Sequence, residues 1–165
     1  VILQSVFEWL EAWPLSEGIR QSSWMFPTIE SVHVIAITLV VGSVMIVDMR
    51  VLGLTSPNKR ITELSAEVLP WTWGAFAIAL VTGSLLFAAK AHAYFGNLNF
   101  RLKMLLLVMA ALNMLAFHFV SYRTVAVWDV GRPAPRLAKL GCGLSLAFWV
   151  LIIVMGRWIG FTIEG

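Results

Sequence analysis

Four long apolar runs, each bounded by charged residues and free of charge inside, dominate the chain: Ser31 to Val47, Val68 to Ala89, Met104 to Tyr122 and Leu140 to Gly156. Each is close to the length a helix needs to cross roughly 30 Å of hydrocarbon at ~1.5 Å per residue, the more so once flanking Trp, Met and Phe are added. The pattern predicts an all-α integral-membrane fold: four antiparallel helices near residues 26–54, 66–93, 100–126 and 136–162, packed as an up-down bundle.

A different pattern precedes the first run. Val6, Phe7 and Leu10 with Trp9 and Trp13 make an amphipathic, aromatic surface, and Ser5 with Glu8 three residues on reads as a capping box. The expectation is a short interfacial helix from Ser5 to Trp13, ended by Pro14. Leu15 to Trp24 then leads along the interface into a span whose first turn contains Pro27. Residues 1–25 are thus an interfacial segment and residues 26–165 a four-span transmembrane domain.

Composition agrees. At 59% hydrophobic and 13% charged residues, with a mean hydropathy of +0.84, the 165-residue chain is too apolar for a soluble domain. The net charge of +3 does not point to nucleic acid, because Lys and Arg sit at the helix ends, where they anchor and orient spans. Arg50, Lys59 and Arg60 follow span one; Arg123, Arg132, Arg136 and Lys139 follow span three. This imbalance places the first and third connections in the cytoplasm and both termini outside. Cys142 is the only cysteine, which excludes an intrachain disulfide and cysteine-held iron–sulfur or zinc sites; beside Gly141 and Gly143 it reads as a packing residue.

Three histidines break the lipid-like composition: His33 in span one, His92 at the end of span two and His118 in span three. An imidazole in hydrocarbon holds a cofactor, moves a proton, or links helices as a neutral hydrogen-bonding group. The orientation puts His33 a few turns below the outer surface, His92 near that surface, and His118 roughly 10 to 15 Å deeper than His33. Two imidazoles clasp one haem only from opposite faces at similar depth, so His33 with His92 is the better pair, and His118 serves a deeper site or replaces His92. Beside Lys90 and Tyr94, His92 is also an ordinary interfacial residue, and Asn113, Ser121 and Tyr122 give His118 a packing alternative.

Other residues carry competing chemistry. Glu30 and His33 form an E-x-x-H pair, but no second copy exists, so a carboxylate-bridged di-iron centre is not expected; Glu30 orients His33 or is solvated. Met114 and His118, one turn apart, are candidate soft ligands for Cu(I), with Met45, Met109 or Met155. Thr38 with Gly42, and Gly83, Ser84, Ala88 and Ala89, supply close helix approach or room for a flat macrocycle.

The stretch Thr82 to Met104, TGSLLFAAKAHAYFGNLNFRLKM, resembles the arrangement in CopD-like copper-resistance membrane proteins and in the HemJ type of protoporphyrinogen oxidase. Its marks are a T-G near mid-span, an aromatic and Gly closing the helix, and a Lys opening the next. The opening of span one, ESVHVIAITLVVGSVMIVDMRVLGL, resembles their first helix, and the chain looks closest to small bacterial four-helix membrane proteins related to these. The resemblance covers about Glu30 to Arg123. It implies His33 as a haem ligand, Lys103 as the Lys that opens the third helix, and His118 as the later His on it. The chain departs from the pattern in lacking a compact His-Trp-x-x-Gly in span one and in carrying His92 and an aromatic N-terminal helix.

The leading expectation is a b-type cytochrome-like protein of the bacterial inner membrane. It would hold haem b by histidine, with Lys90, Arg101, Lys103 and Arg157 as candidate partners of the propionates, and pass electrons between the membrane quinol pool and an outer-face redox partner. The alternatives are a copper-handling permease and a membrane anchor, as a homo-oligomer or a subunit of a larger complex. No catalytic acid, nucleophile or phosphate loop is evident in the sequence.

Overall fold

The computed structural model describes residues 2–56 and 58–163, which form helices joined by short connections, with no strand among them. Four helical stretches are long and apolar enough to cross a membrane: α3 (Met25–Leu52), α4 (Ile61–Ala89), a composite span over Leu98–Trp128, and α8 (Arg136–Thr162). The composite span opens with α6 (Leu98–Ala116), widens into a π-helical turn at Phe117–Ser121, tightens into a 3-10 turn at Tyr122–Thr124, and ends in α7 (Val125–Trp128).

Local chemistry sets the ends. Gly53, at φ 83, closes α3 in the left-handed region, where a Cβ is disfavoured; its amide bonds to Arg50 O and that of Leu54 to Met49 O. Asn97 caps α6 by accepting from the amides of Asn99 and Phe100, and its Nδ2 donates to Thr162 Oγ1 at 2.7 Å, fastening the start of α6 to the end of α8. The second span begins at Ile61, five residues earlier than expected. It stops at Lys90, whose backbone leaves the helical region, and a separate helix α5 (Ala91–Gly96) follows.

The N-terminal segment differs from the expectation at two points. Helix α1 runs Ile2–Glu11, so Ser5 lies inside it rather than capping it, and Pro14 begins a second helix, α2 (Pro14–Gln21), instead of only ending the first. Proline is suited to that place, since the first turn of a helix leaves its N–H groups unused. Pro27 lies in the first turn of α3, as expected.

Helix α3 packs along α4 and α6 along α8; α3 against α8 joins the two hairpins, whereas α4 and α6 scarcely meet along their lengths. The bundle is therefore open along the α4–α6 seam and closed at one end by stacked rings. Phe87 of α4 and Phe100 of α6 stack at 5.4 Å, with Tyr94 at 5.5 Å from Phe100 and Phe7 of α1 at 6.2 Å from Phe87. At the opposite end the buried cluster Val51, Ile61, Val125, Trp128, Ala138 and Cys142 gathers all four spans. There Asp129 caps α4 from another connection: Thr62 donates to it through its amide (2.9 Å) and its hydroxyl (2.7 Å). Burial works against the Asp129 charge, but the Thr62 amide and hydroxyl, the Ile61 amide and Arg60 together hold its carboxyl below the usual carboxylate range.

Candidate functional site

His33 lies eight residues into α3, Thr82 seven from the end of α4, Lys103 five into α6 and Gly156 six from the end of α8. Antiparallel packing therefore brings all four to one level, about 7 to 12 Å below the end that carries α1, α2 and α5. His33 Nδ1 is 2.9 Å from Thr82 Oγ1. The single hydroxyl proton of Thr82 is directed to Ile78 O at 2.7 Å, so Thr82 offers His33 a lone pair. The Ala79 carbonyl of α4 is a second hydrogen-bonding partner of the ring, and in the tautomer with the proton on Nδ1 the other ring nitrogen has the lone pair by which imidazole ligates a metal.

Two glycines make the space. A Cβ on Gly83 would stand 2.9 Å from His33 Cε1, so the ring lies where any other residue would put a side chain. A Cβ on Gly156 would stand 3.4 Å from Lys103 Nζ and 3.7 Å from its Cε, so the lysine stem crosses α8 at a thinned point. Lys103 is half-buried and near enough to act electrostatically on His33. Thr82 also lines a shallow apolar groove of about 280 Å3 with Ala77, Ile78 and Val81. At the entrance, burial and the nearby Glu30 carboxylate push the Tyr94 phenol up to about 12.

The other candidates lie elsewhere. His92 is exposed on α5, with Nδ1 3.4 Å from Glu11 Oε1 and its ring 5.4 Å from Phe7. His118 is exposed in the π-helical turn, stacked on Tyr122 at 5.5 Å. Arg157 is exposed and lies over Phe161, and Lys90 lies over Phe26. Met45, Met109 and Met114 are exposed, as are Thr38 and Gly42. No group of three His, Cys, Asp or Glu placed to hold a metal ion occurs among the described residues.

One family model, described as a family of unknown function, DUF6644, matches residues 6–162. The chain belongs to the DUF6644 family. The match does not link this DUF6644 protein to the CopD-like or HemJ-type proteins that its spans resemble. Among curated proteins and among solved structures nothing matches.

The bundle of this DUF6644 protein also holds a residue that the sequence pattern passed over. Asp48, one position beyond the first apolar run, reads as a boundary charge, yet it is only 7% exposed. Its signal was spacing: His33, Ala36, Val40, Val44, Asp48 and Val51 follow one another at three- and four-residue steps, which keeps them on one face of α3.

Proposed function

We propose that this protein is an integral-membrane b-type haem protein that passes electrons between membrane quinol and a redox partner at the outer face, with His33 as its axial ligand. The supporting observation is the seat of His33 among the apolar helices: Nδ1 lies 2.9 Å from Thr82 Oγ1, the ring rests on Gly83, and Lys103 is close enough to act on it electrostatically. The donor set suits a porphyrin better than a bare ion. A porphyrin brings four nitrogens of its own and asks the protein for one or two axial ligands, whereas a copper or zinc cage needs several converging side chains. Of the candidate copper ligands, Met45, Met109, Met114 and His118 lie exposed and Met155 is half-buried, which favours the porphyrin over a copper cage.

In this reading haem supplies one-electron chemistry, and the chain orients and tunes it. Thr82 fixes the imidazole plane and tautomer, Gly83 admits the ring, and apolar helices exclude water. Lys103 supplies the positive charge that favours propionate carboxylates and the reduced state. His92 and His118 are not beside His33, so they would not share one haem with it. The basic connections at residues 53–60 and 129–135 face the cytoplasm, which puts His33 in the outer half.

A reduced-minus-oxidised optical spectrum of protein purified after haem-supplemented expression is the test. Sharp Soret and alpha bands that disappear in His33→Ala support the reading. Full haem occupancy with an unchanged spectrum in that variant overturns the ligand assignment. No haem in the wild type leaves the copper reading if stoichiometric copper is found, and the anchor reading if it is not.

A further inference from the structure

The face of α3 that carries His33 near one end carries Asp48 near the other, four residues from Leu52. Asp48 makes no ion pair among the described residues, and its Oδ2 is buried without a hydrogen-bond partner. Ser145 and Cys142 of α8 face its carboxyl. Among the described residues, the charged and titratable groups around it make no ion pair with it. Arg50 sends Nε to Lys59 O at 2.8 Å and a terminal nitrogen towards Asp129 O at 3.4 Å. On α4, Glu63 and Glu67 are exposed and pair with Arg60 and Lys59. On α8, half-buried Lys139 lies three residues from Cys142 and makes no ion pair with Asp48, and Tyr122 packs against the cluster that contains Cys142.

An ionised carboxylate in these surroundings would be a full charge in a low-dielectric interior with no counter-ion, whereas the neutral acid carries none. One oxygen of the carboxyl can accept from the Ser145 hydroxyl or the Cys142 thiol in either state, while the buried Oδ2, which has no donor to stabilise a negative charge, is the place for the proton. We propose that Asp48 is a membrane-embedded proton-binding site, loaded at neutral pH, that exchanges its proton with water at the end of the bundle where Gly53 closes α3 and Asp129 caps α4. One proton is taken up by the carboxylate and one is released to water, with no other reactant. About one helical turn, roughly 6 Å along α3, separates it from that end. The site does not depend on haem binding at His33.

Sequence makes the test specific, because the chain has two aspartates, Asp48 and Asp129, and Asp129 is the one held ionised by its cap. Infrared spectroscopy of wild-type protein labelled with 13C-aspartate, in lipid nanodiscs at neutral pH, should therefore show one isotope-shifted C=O stretch of a protonated carboxyl. The band should vanish in Asp48→Asn and change frequency in Ser145→Ala. A wild-type spectrum without this band overturns the proposal, and the labelled wild type gives that answer whether or not the variants fold. A band that bleaches when choline is replaced by sodium at constant pH also overturns it, in favour of a metal-cation site.

Discussion

The two ends of one face of α3 place polar groups in hydrocarbon by opposite means. His33 has a hydrogen-bonding partner in Thr82 across the α3–α4 contact and is seated on a glycine. Asp48 sits across the α3–α8 contact with one oxygen unpartnered. A membrane interior tolerates an imidazole readily, because removing one proton leaves it neutral and still able to donate and accept. A carboxyl reaches neutrality only by gaining a proton. The same helix face thus carries one polar group with a partner on α4 and one buried against α8 with an oxygen that has none.

The sharpest way to break the comparison is Gly83→Ala. The added Cβ would stand 2.9 Å from His33 Cε1 and displace the ring, so on the proposed haem reading haem binding should fall sharply. Gly42→Ala on α3, which meets nothing within 4 Å, should leave the haem spectrum unchanged. Equal haem loss in both variants would show that Gly83 acts through general helix packing and not through the ring.

A smaller effect is expected from Thr82→Val, which keeps the shape and removes the acceptor that fixes Nδ1–H. Haem affinity should fall ~10- to 100-fold, as when a hydrogen-bond partner of a ligating histidine is removed, with part of the loss recovered in Thr82→Ser. Haem titration of the apoprotein measures it, and unchanged affinity would mean that Thr82 does not orient the ligand.

Smaller still is the effect of removing the Asp129 cap from α4, at the end where Asp48 lies. Asp129→Ala should lower stability by about 1 kcal/mol, the usual scale for an N-cap. The carboxyl is held below its ordinary range, so its contribution is present above the usual carboxylate pKa and is lost as pH falls through the lowered value. Wild type and Asp129→Asn should therefore converge in thermal unfolding at strongly acidic pH and separate near neutrality. A gap that persists in acid would assign the effect to packing.

The last prediction concerns the ends themselves. In a Cys142→Ser background, Asn58→Cys should be protected from an impermeant outside reagent and Asn97→Cys should be accessible. The reverse pattern would invert the proposed orientation without moving either residue.

The sequence by itself determined four spans, the all-α class and the placing of Pro27 and α8, because a hydrocarbon solvent demands long uncharged helices whatever their neighbours are. It also singled out His33, since an ionisable group in an apolar run is visible without a partner. Only the tertiary structure decided which groups meet. Lys103 comes to the level of His33 and His92 turns to Glu11, because the chain breaks at Lys90 and the α4–α6 seam stays open. The second helix at Pro14 and the burial of Asp48 escaped the linear pattern for a related reason. A proline's meaning depends on which side of it the helix runs, and a charge at the edge of an apolar run is solvated or buried according to the helix packed beside it. Here that helix is α8, whose Cys142 and Ser145 lie nearly a hundred residues away in the chain and within reach of the carboxyl in the fold.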